Sequence, residues 1–459
     1  MREHKICPQD NVVVRGHDKF AAKDISAGET IIKYGFPIGA ASQNISKGEF
    51  VHTHNLISTL SPDSKYVRYE PFSENKLSEE GSFLGFRRKD GKVGIRNDIY
   101  VLPAVGCVNG ICERLARETG AIALTHALGC SQLGDDLENT RKILRGLACH
   151  PNAAGVLVVS LGCENNTPKS FREFLLDSGA DEERVRFLTI QESADEIAEG
   201  KRLIGELSNK ASELRAEPVS LSELTIGLKC GGSDGLSGIT ANPLVGKISD
   251  KMIRYGGSAI LTEIPEMFGA ENILLKRCSD FEVYNRLCDT IDRFKQYYRD
   301  HGNRIDENPS PGNKEGGITT LAEKSLGCVQ KGGTSAIMDV ISYGERIRKK
   351  GLTVLEAPGN DIVACTALMA AGANLILFTT GRGTPLGCGV PVLKISSNSE
   401  LFTHKPNWID FDAGTLIHGD PGAENRLFEL VLQTAQGRKT RNEINGNHEI
   451  AIWKNGVTL

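Results

Sequence analysis

DIYVLPAVGCVNGICERLARETG, residues 98–120, reads as an apolar strand, a glycine-containing turn and an amphipathic helix that stops at Gly120. A short continuous apolar run closed by a turn suits a strand covered on both faces, and a glycine after the last helical turn is a common stop signal. The same unit recurs along the chain. AAGVLVVSLGCENN (153–166), LTIGLKCGGSDG (224–235), GGSAILTEIPE (256–266), GLTVLEAPGND (351–361) and NLILFTTGRGTPLG (374–387) are each an apolar run ending in polar residues. Strands alternating with helices predict parallel sheets. In open parallel sheets ligands bind beyond the carboxyl ends of the strands. Cys163, Glu164, Cys230, Ser233, Asp234, Thr380 and Arg382 are therefore expected on one rim, the plainer alternative being ordinary strand-to-helix turns.

Upstream of this pattern, residues 1–60 read as a small β module of short segments separated by glycine turns (NVVVRG, KDISAGETII, GFPIGAASQNISKGEFVHTHN). Residues 61–82 are polar, lack periodicity and read as a linker. A first α/β domain is expected over 83–222 and a second over 223–459. The predicted fold class is thus α/β, a β module followed by two units with mainly parallel sheets. With 459 residues, 39% hydrophobic and 24% charged, the chain has the composition of an ordinary globular protein. Its net charge is −4 and it lacks a basic block, which argues against nucleic acid. No apolar window reaches the ~18 residues of a membrane span, and MREHKICPQD lacks the apolar core of a signal peptide, so a cytoplasmic protein is expected. Its 12 cysteines are then thiols. Glycine is abundant at 50 residues and clusters beside polar residues, as in a site assembled from several loops.

Several stretches carry potential chemistry. In VHTHN (51–55), a strand would put His52 and His54 on one face, suiting a divalent metal, acid–base work or simple solvation. Cys130 (HALGCSQ), Cys163 (SLGCENN) and Cys230 (LKCGGSD) each follow or precede glycine, and three thiolates from three loops could hold iron as an ion or a cluster. The alternative is three structural thiols. The glycine-rich run 308–333 offers Lys314, Lys324 and Lys331 to an anion. Arg382 in FTTGRGTP and Arg96 in GFRRKDGKVGIRN are candidate carboxylate clamps. Neither motif has the spacing of a nucleotide loop. His126 (LTHALGC) is a candidate base or ligand, or a satisfied core histidine.

GFRRKDGKVGIRN, HPNAAGVLVVSLGCE, CGGSDGLSGITANP, PSPGNKEGGITTLAEKSLGC and FTTGRGTP, in this order, resemble the altronate/galactarate dehydratase family of sugar-acid hydro-lyases. The N-terminal module resembles the SAF (β-clip) domain that precedes them. Residues 383–419 and 450–459 resemble the altronate-specific branch. The resemblance implies dehydration of D-altronate to 2-dehydro-3-deoxy-D-gluconate in hexuronate catabolism, with galactarate dehydration or a sulfolactate-type lyase as the alternative. It also implies Fe2+, with Mn2+ assisting, while the three cysteines leave an iron–sulfur cluster as the alternative; a homo-oligomer is expected. Such a reaction removes the C2 proton and the C3 hydroxyl, so charge growing on the substrate carboxylate must be stabilised while a base and an acid act. The expected roles are His52 and His54 as metal ligands or acid–base pair, Cys130, Cys163 and Cys230 as iron ligands, and His126 or Glu164 as base. Arg382 and Lys324 are expected on the carboxylate, with Arg96, Ser233, Asp234, Lys314, Lys331 and Thr380 around the substrate. The histidine-bearing module is expected to dock over an α/β rim, its own or a neighbouring subunit's.

Overall fold

The computed structural model describes residues 3–61, 63, 65–72 and 78–458. Within the expected linker, residues 62, 64 and 73–77 lie outside the described residues. The rest of that linker is packed down. Val67 N–H donates to Asn272 Oδ1 at 2.9 Å, Tyr284 Oη donates to the Val67 carbonyl at 2.6 Å, and Tyr69 meets the Phe281 and Tyr284 rings. Aromatic residues thus hold this polar segment against the helix Phe281–Asp300.

The N-terminal module has two three-stranded antiparallel sheets, built from Val12–Arg15, Asp18–Ala21 and Phe50–Val51, and from Thr30–Lys33, Phe36–Ala41 and Leu56–Ile57. A short repeat, DISAGET (24–30) and NISKGEF (44–50), closes it. Asp24 accepts from Lys47 N–H and Asn44 accepts from Ala27 N–H, each at 2.8 Å, so each copy caps the other. Strand Ser82–Arg87 then pairs antiparallel with Glu217–Ser220, bringing the two ends of the first α/β unit together.

Both main sheets are parallel throughout, as the strand–helix alternation predicts. The first has the order Ile122–Ala123, Asp98–Pro103, Ala153–Ser160, Val185–Thr189. The second has seven strands in the order Ile337–Ile341, Gly351–Leu355, Ser258–Leu261, Thr225–Cys230, Leu375–Thr380, Val392–Ser396, Phe411–Asp412. Every residue of Ala153–Ser160, Thr225–Cys230 and Leu375–Thr380 is buried, as helices on both faces require. No helix among the described residues is long and apolar enough to cross a membrane.

Three apolar clusters organise the core. One runs without a break from the N-terminal module (Val12, Ile31, Ile38) into the seven-stranded unit (Ile226, Leu244, Val354). The second lies between the two α/β units, where Gly146 faces Ala370 so closely that an added Cβ would come within 2.6 Å of its carbonyl oxygen. A buried ion triad completes the first contact. Glu323 takes Lys19 Nζ at 3.0 Å and Lys33 Nζ at 2.8 Å, and these side chains are no more than 1% exposed. Lys19 and Lys33 come from the module and Glu323 from the helix Leu321–Cys328, so the module docks on its own chain's second α/β unit.

Candidate functional site

The strand Thr225–Cys230 ends in Gly231–Gly232 at the rim of the seven-stranded sheet. An added Cβ at Gly231 would lie 2.5 Å from Asp361 Oδ2, and one at Gly232 would lie 3.4 Å from Arg382 Cβ. Two glycines therefore let an acid and a base flank one bare turn. Asp361 opens the helix Asp361–Ala371, where a carboxylate is favoured by the helix dipole, and its side chain is 35% exposed. Arg382 is 49% exposed, with its only ion pair among the described residues to Glu315 at 3.2 Å. The docked module reaches the same rim, where His52 Nε2 lies 2.8 Å from the Lys314 carbonyl. Lys314 and Glu315 belong to one short helix, Pro311–Glu315, so the histidine turn borders Arg382 through it.

Beneath this rim lies a cluster of buried charges that sequence reading did not assemble. Lys229 Nζ donates to Asp361 Oδ1 at 2.8 Å and to Glu263. Lys331 Nζ lies 2.6 Å from Cys230 Sγ and 3.2 Å from Glu263 Oε2. Lys324 Nζ meets Glu266 Oε1 at 2.8 Å, and the Cys328 thiol lies 3.1 Å from Glu266 Oε2. Glu263 adopts φ 72°, a left-handed conformation costing a non-glycine residue ~1–3 kcal/mol. That turn aims its carboxylate back at Lys229, Lys331 and the Cys230 amide. Burial pushes the Glu263 carboxyl up, against the pull of Lys229. Burial would raise Glu266 too, but Lys324, Lys229 and Lys331 outweigh it and hold it below the usual carboxylate range. The hydrogen bond with Cys230, then burial, pushes the Cys328 thiol well up.

Cys230, Glu266 and Cys328 bring ligand atoms within 4.8 Å of one another. They do not fit a divalent ion. Two lysine ammoniums already sit on two of the three donors, and all three residues are buried away from any substrate. This set fits a proton-holding network bridged to the surface by Lys229 and Asp361.

The remaining expected residues fall into place as follows. VHTHN is not a strand beyond Val51. Asn55 accepts from His52 N–H at 2.9 Å and donates to the Phe50 carbonyl at 2.8 Å, closing a turn whose two imidazoles both stack on Phe50. Arg96 is 6% exposed and pairs with both oxygens of Glu443 at 2.7 and 2.9 Å; it is a structural clamp, not a substrate clamp. His126 lies buried with Nε2 on the Pro103 carbonyl at 2.8 Å, and burial pushes its pKa down to about 4. Glu164 is 2% exposed and its oxygens accept from Leu161 and Gly162 N–H, closing its own loop. Neither is placed to take a substrate proton.

Asp234 is a buried hub for Ser237, Ser397 and Asn398. Ser233 and Thr380 are buried beside it, Ser233 with an unpartnered hydroxyl and Thr380 accepting from Gly383 N–H. Lys324 and Lys331 serve the buried cluster rather than a bound anion. Cys130 and Cys163 are exposed on the rim of the four-stranded sheet, whereas Cys230 is buried in the seven-stranded unit, so these three do not form one ligand set. Lys314 and Arg382 remain at the open rim, with Asp361 between them and the buried cluster. Asp361 closes the run GLTVLEAPGND, and its place after a strand was the available signal.

Family models match three consecutive stretches: the altronate/galactarate dehydratase SAF domain over 1–59, the second domain of D-galactarate dehydratase/altronate hydrolase over 85–212, and the D-galactarate/altronate dehydratase C-terminal domain over 221–458. An altronate dehydratase of Bacillus subtilis is 51% identical over 97% of this chain and 92% of its own length. One of Escherichia coli is 49% identical over the same shares. The Escherichia coli galactarate dehydratase (L-threo-forming) is 33% identical, over 93% of this chain and 87% of its own. Matched from the docked β module through both parallel sheets, this chain belongs to the D-galactarate/altronate dehydratase family.

Proposed function

We propose that the chain is a cytoplasmic hydro-lyase that converts D-altronate to 2-dehydro-3-deoxy-D-gluconate and water in hexuronate breakdown. The supporting observation is the near-full-length identity of 51% and 49% to two altronate dehydratases, against 33% to a galactarate dehydratase. The free thiols of all 12 cysteines suit a reducing compartment.

The rim geometry suggests how the reaction runs. Arg382 is the exposed cation at the Gly231–Gly232 turn and takes the substrate carboxylate, whose charge grows as the C2 proton leaves. Asp361, across the same turn, takes that proton. Lys229 behind it orients the carboxylate before the reaction and ties it to Glu263. His54, exposed on the docked turn, protonates the departing C3 hydroxyl, and His52 anchors that turn through the Lys314 carbonyl. The enol left after loss of water then takes a proton at C3 and becomes the 2-keto acid. Exposed thiolates such as Cys130 and Cys163 would hold iron, which would supply Lewis acidity to the departure of the hydroxyl.

The test is turnover of D-altronate, galactarate and sulfolactate by the anaerobically purified, iron-supplied protein, with products identified by mass spectrometry. D-altronate should be preferred by at least ~10²-fold in kcat/KM, because galactarate brings a second carboxylate to the far end of the pocket. Equal or better turnover of either alternative acid overturns the reading.

A further inference from the structure

We infer that Cys107, Cys130 and Cys163 together carry an iron–sulfur cluster with one coordination position left open. The three thiols expected to share iron do not meet, since Cys230 is buried in the other α/β unit while Cys130 and Cys163 are exposed. The structure supplies a different third thiol. Cys107 follows the strand Asp98–Pro103, Cys130 follows Ile122–Ala123 and Cys163 follows Ala153–Ser160, and these are three adjacent strands of one parallel sheet. All three thiols are exposed, while Cys112, Cys365 and Cys388 are buried like ordinary small hydrophobes. Each is the second residue of a Gly-Cys pair, 106–107, 129–130 and 162–163, as are the buried Cys328 and Cys388, so it is exposure at the strand ends that sets them apart.

The loops are hydrogen-bonded into one surface. Gly106 N–H donates to the Leu128 carbonyl at 2.9 Å, and Asn166 N–H donates to the Gly129 carbonyl at 3.2 Å. Asn165 accepts from Ser131 N–H at 2.7 Å. Gly129 has φ +105° and presses so close to the Ala104 carbonyl that a Cβ would sit 2.1 Å from it. Only glycine permits that approach, and it carries Cys130 over the end of the neighbouring strand. A second observation also points to a bound group. Asn166 is 1% exposed, yet both its amide nitrogen and its amide oxygen lack a hydrogen-bond partner. Burying an unpaired amide costs a few kcal/mol, and such an exception asks for a ligand.

The placement of the three thiols bears on a single ion. Thiolates on one tetrahedral ion, with metal–sulfur bonds of ~2.3 Å, stand ~3.8 Å apart. Among the described residues, the only three-donor group with ligand atoms within 4.8 Å is the buried Cys230, Glu266 and Cys328 set. Cys107, Cys130 and Cys163 are not gathered so closely, so they are not preset around one ion. Three thiolates leave a four-iron cluster one ligand short, and that position is available to a substrate oxygen. The loop that starts at Arg382 ends against this unit, where Gly389 packs on Leu124 beside the Cys130 loop. The open position is assigned to substrate only through the proposed function above; the cluster itself does not depend on it.

The experiment uses full-length protein supplied anaerobically with ferrous iron and sulfide. Iron and acid-labile sulfide per chain are measured, with the visible spectrum and the paramagnetic resonance of the reduced form. Wild type should hold ~4 of each. Cys107→Ser, Cys130→Ser and Cys163→Ser should each lose more than half of both, while Cys288→Ser, on a distant helix, keeps them. Because a serine variant can fail to fold, the wild-type protein is also alkylated before and after loading. The three rim thiols should become protected together, each labelling at least tenfold more slowly. Iron bound without sulfide, serine variants that load normally, or Cys107 labelling at the same rate in both states overturns the cluster. A loaded cluster without altronate turnover sinks the substrate reading alone. Full turnover by cluster-free protein likewise sinks the assignment of the open position to substrate, and not the cluster.

Discussion

Replacing Glu323 by Gln removes the single anion that two buried ammoniums share. Glu323 also accepts from Thr319 N–H and Oγ at 2.9 and 2.6 Å, contacts that Gln keeps only in part. Breaking a buried ion pair by removing one partner costs ~3–5 kcal/mol, and here two cations at 0% and 1% exposure are stranded together. The damage should fall on the contact between module and body, read as denaturant midpoint and as proteolysis within residues 61–82. The pH dependence carries its own sign. Burial, partly offset by Glu323, pushes Lys19 down to about 8, whereas burial of Lys33 is outweighed by Glu323, which holds it up. A lysine with a lowered folded pKa loses its proton in the native state first, so stability rises between pH 8 and the ordinary value of 10.5, by ~3 kcal/mol over the whole window. In Glu323→Gln both lysines shed protons more readily, and the penalty should shrink from pH 7 to pH 10. The triple change Lys19→Met, Lys33→Met, Glu323→Leu should recover most of the loss, since apolar replacement of a buried ion cluster is near neutral. A Glu323→Gln protein within ~1 kcal/mol of wild type at pH 7 would refute the argument.

Three further outcomes follow from the site. Asp361→Asn should lower kcat by ~10²–10⁴ with the melting temperature nearly unchanged, because only the half-exposed member of the Lys229 cluster is altered; an active variant removes Asp361 as base. His54→Ala should reduce kcat on a similar scale in a correctly folded protein, and unchanged turnover would reduce the histidine turn to a docking contact. Burial pushes His126 down to about 4 and His150 down to about 3, so each is neutral in the native state while the unfolded chain protonates near 6.5. Stability present above pH 6.5 should then fall by about 4 kcal/mol by pH 5, measured by urea denaturation, and a flat profile contradicts their burial.

The parallel sheets were legible because strands covered on both faces must be apolar along their whole length, and runs such as AAGVLVVS state this directly. The rim was legible for the same reason, since polar residues begin where those runs stop. What the side chains do there was not. Arg96 reads as an exposed clamp until Glu443, 347 residues away, arrives to meet it. The Lys19–Lys33–Glu323 triad joins residues about as far apart, through partners that show no local pattern. HTHN misled because an alternating pair in two residues of strand carries almost no periodic information, whereas Asn55 was a turn signal in plain view. Cys107 lies inside the opening motif, and the Gly-Cys pair alone does not single it out, since the buried Cys328 and Cys388 also follow glycine.

The module's grip on the body is made by side chains already on its own sheets, with Lys19, Lys33 and a continuous apolar layer, and not by the chain that joins them. The connecting segment therefore acts as a leash. Its contribution to that grip is effective concentration. A single nick within 61–82 should leave the two fragments associated through gel filtration at micromolar protein, held by the interface alone. Gene architecture is then free to vary, for a covering domain bound in this way works equally well as a separate polypeptide.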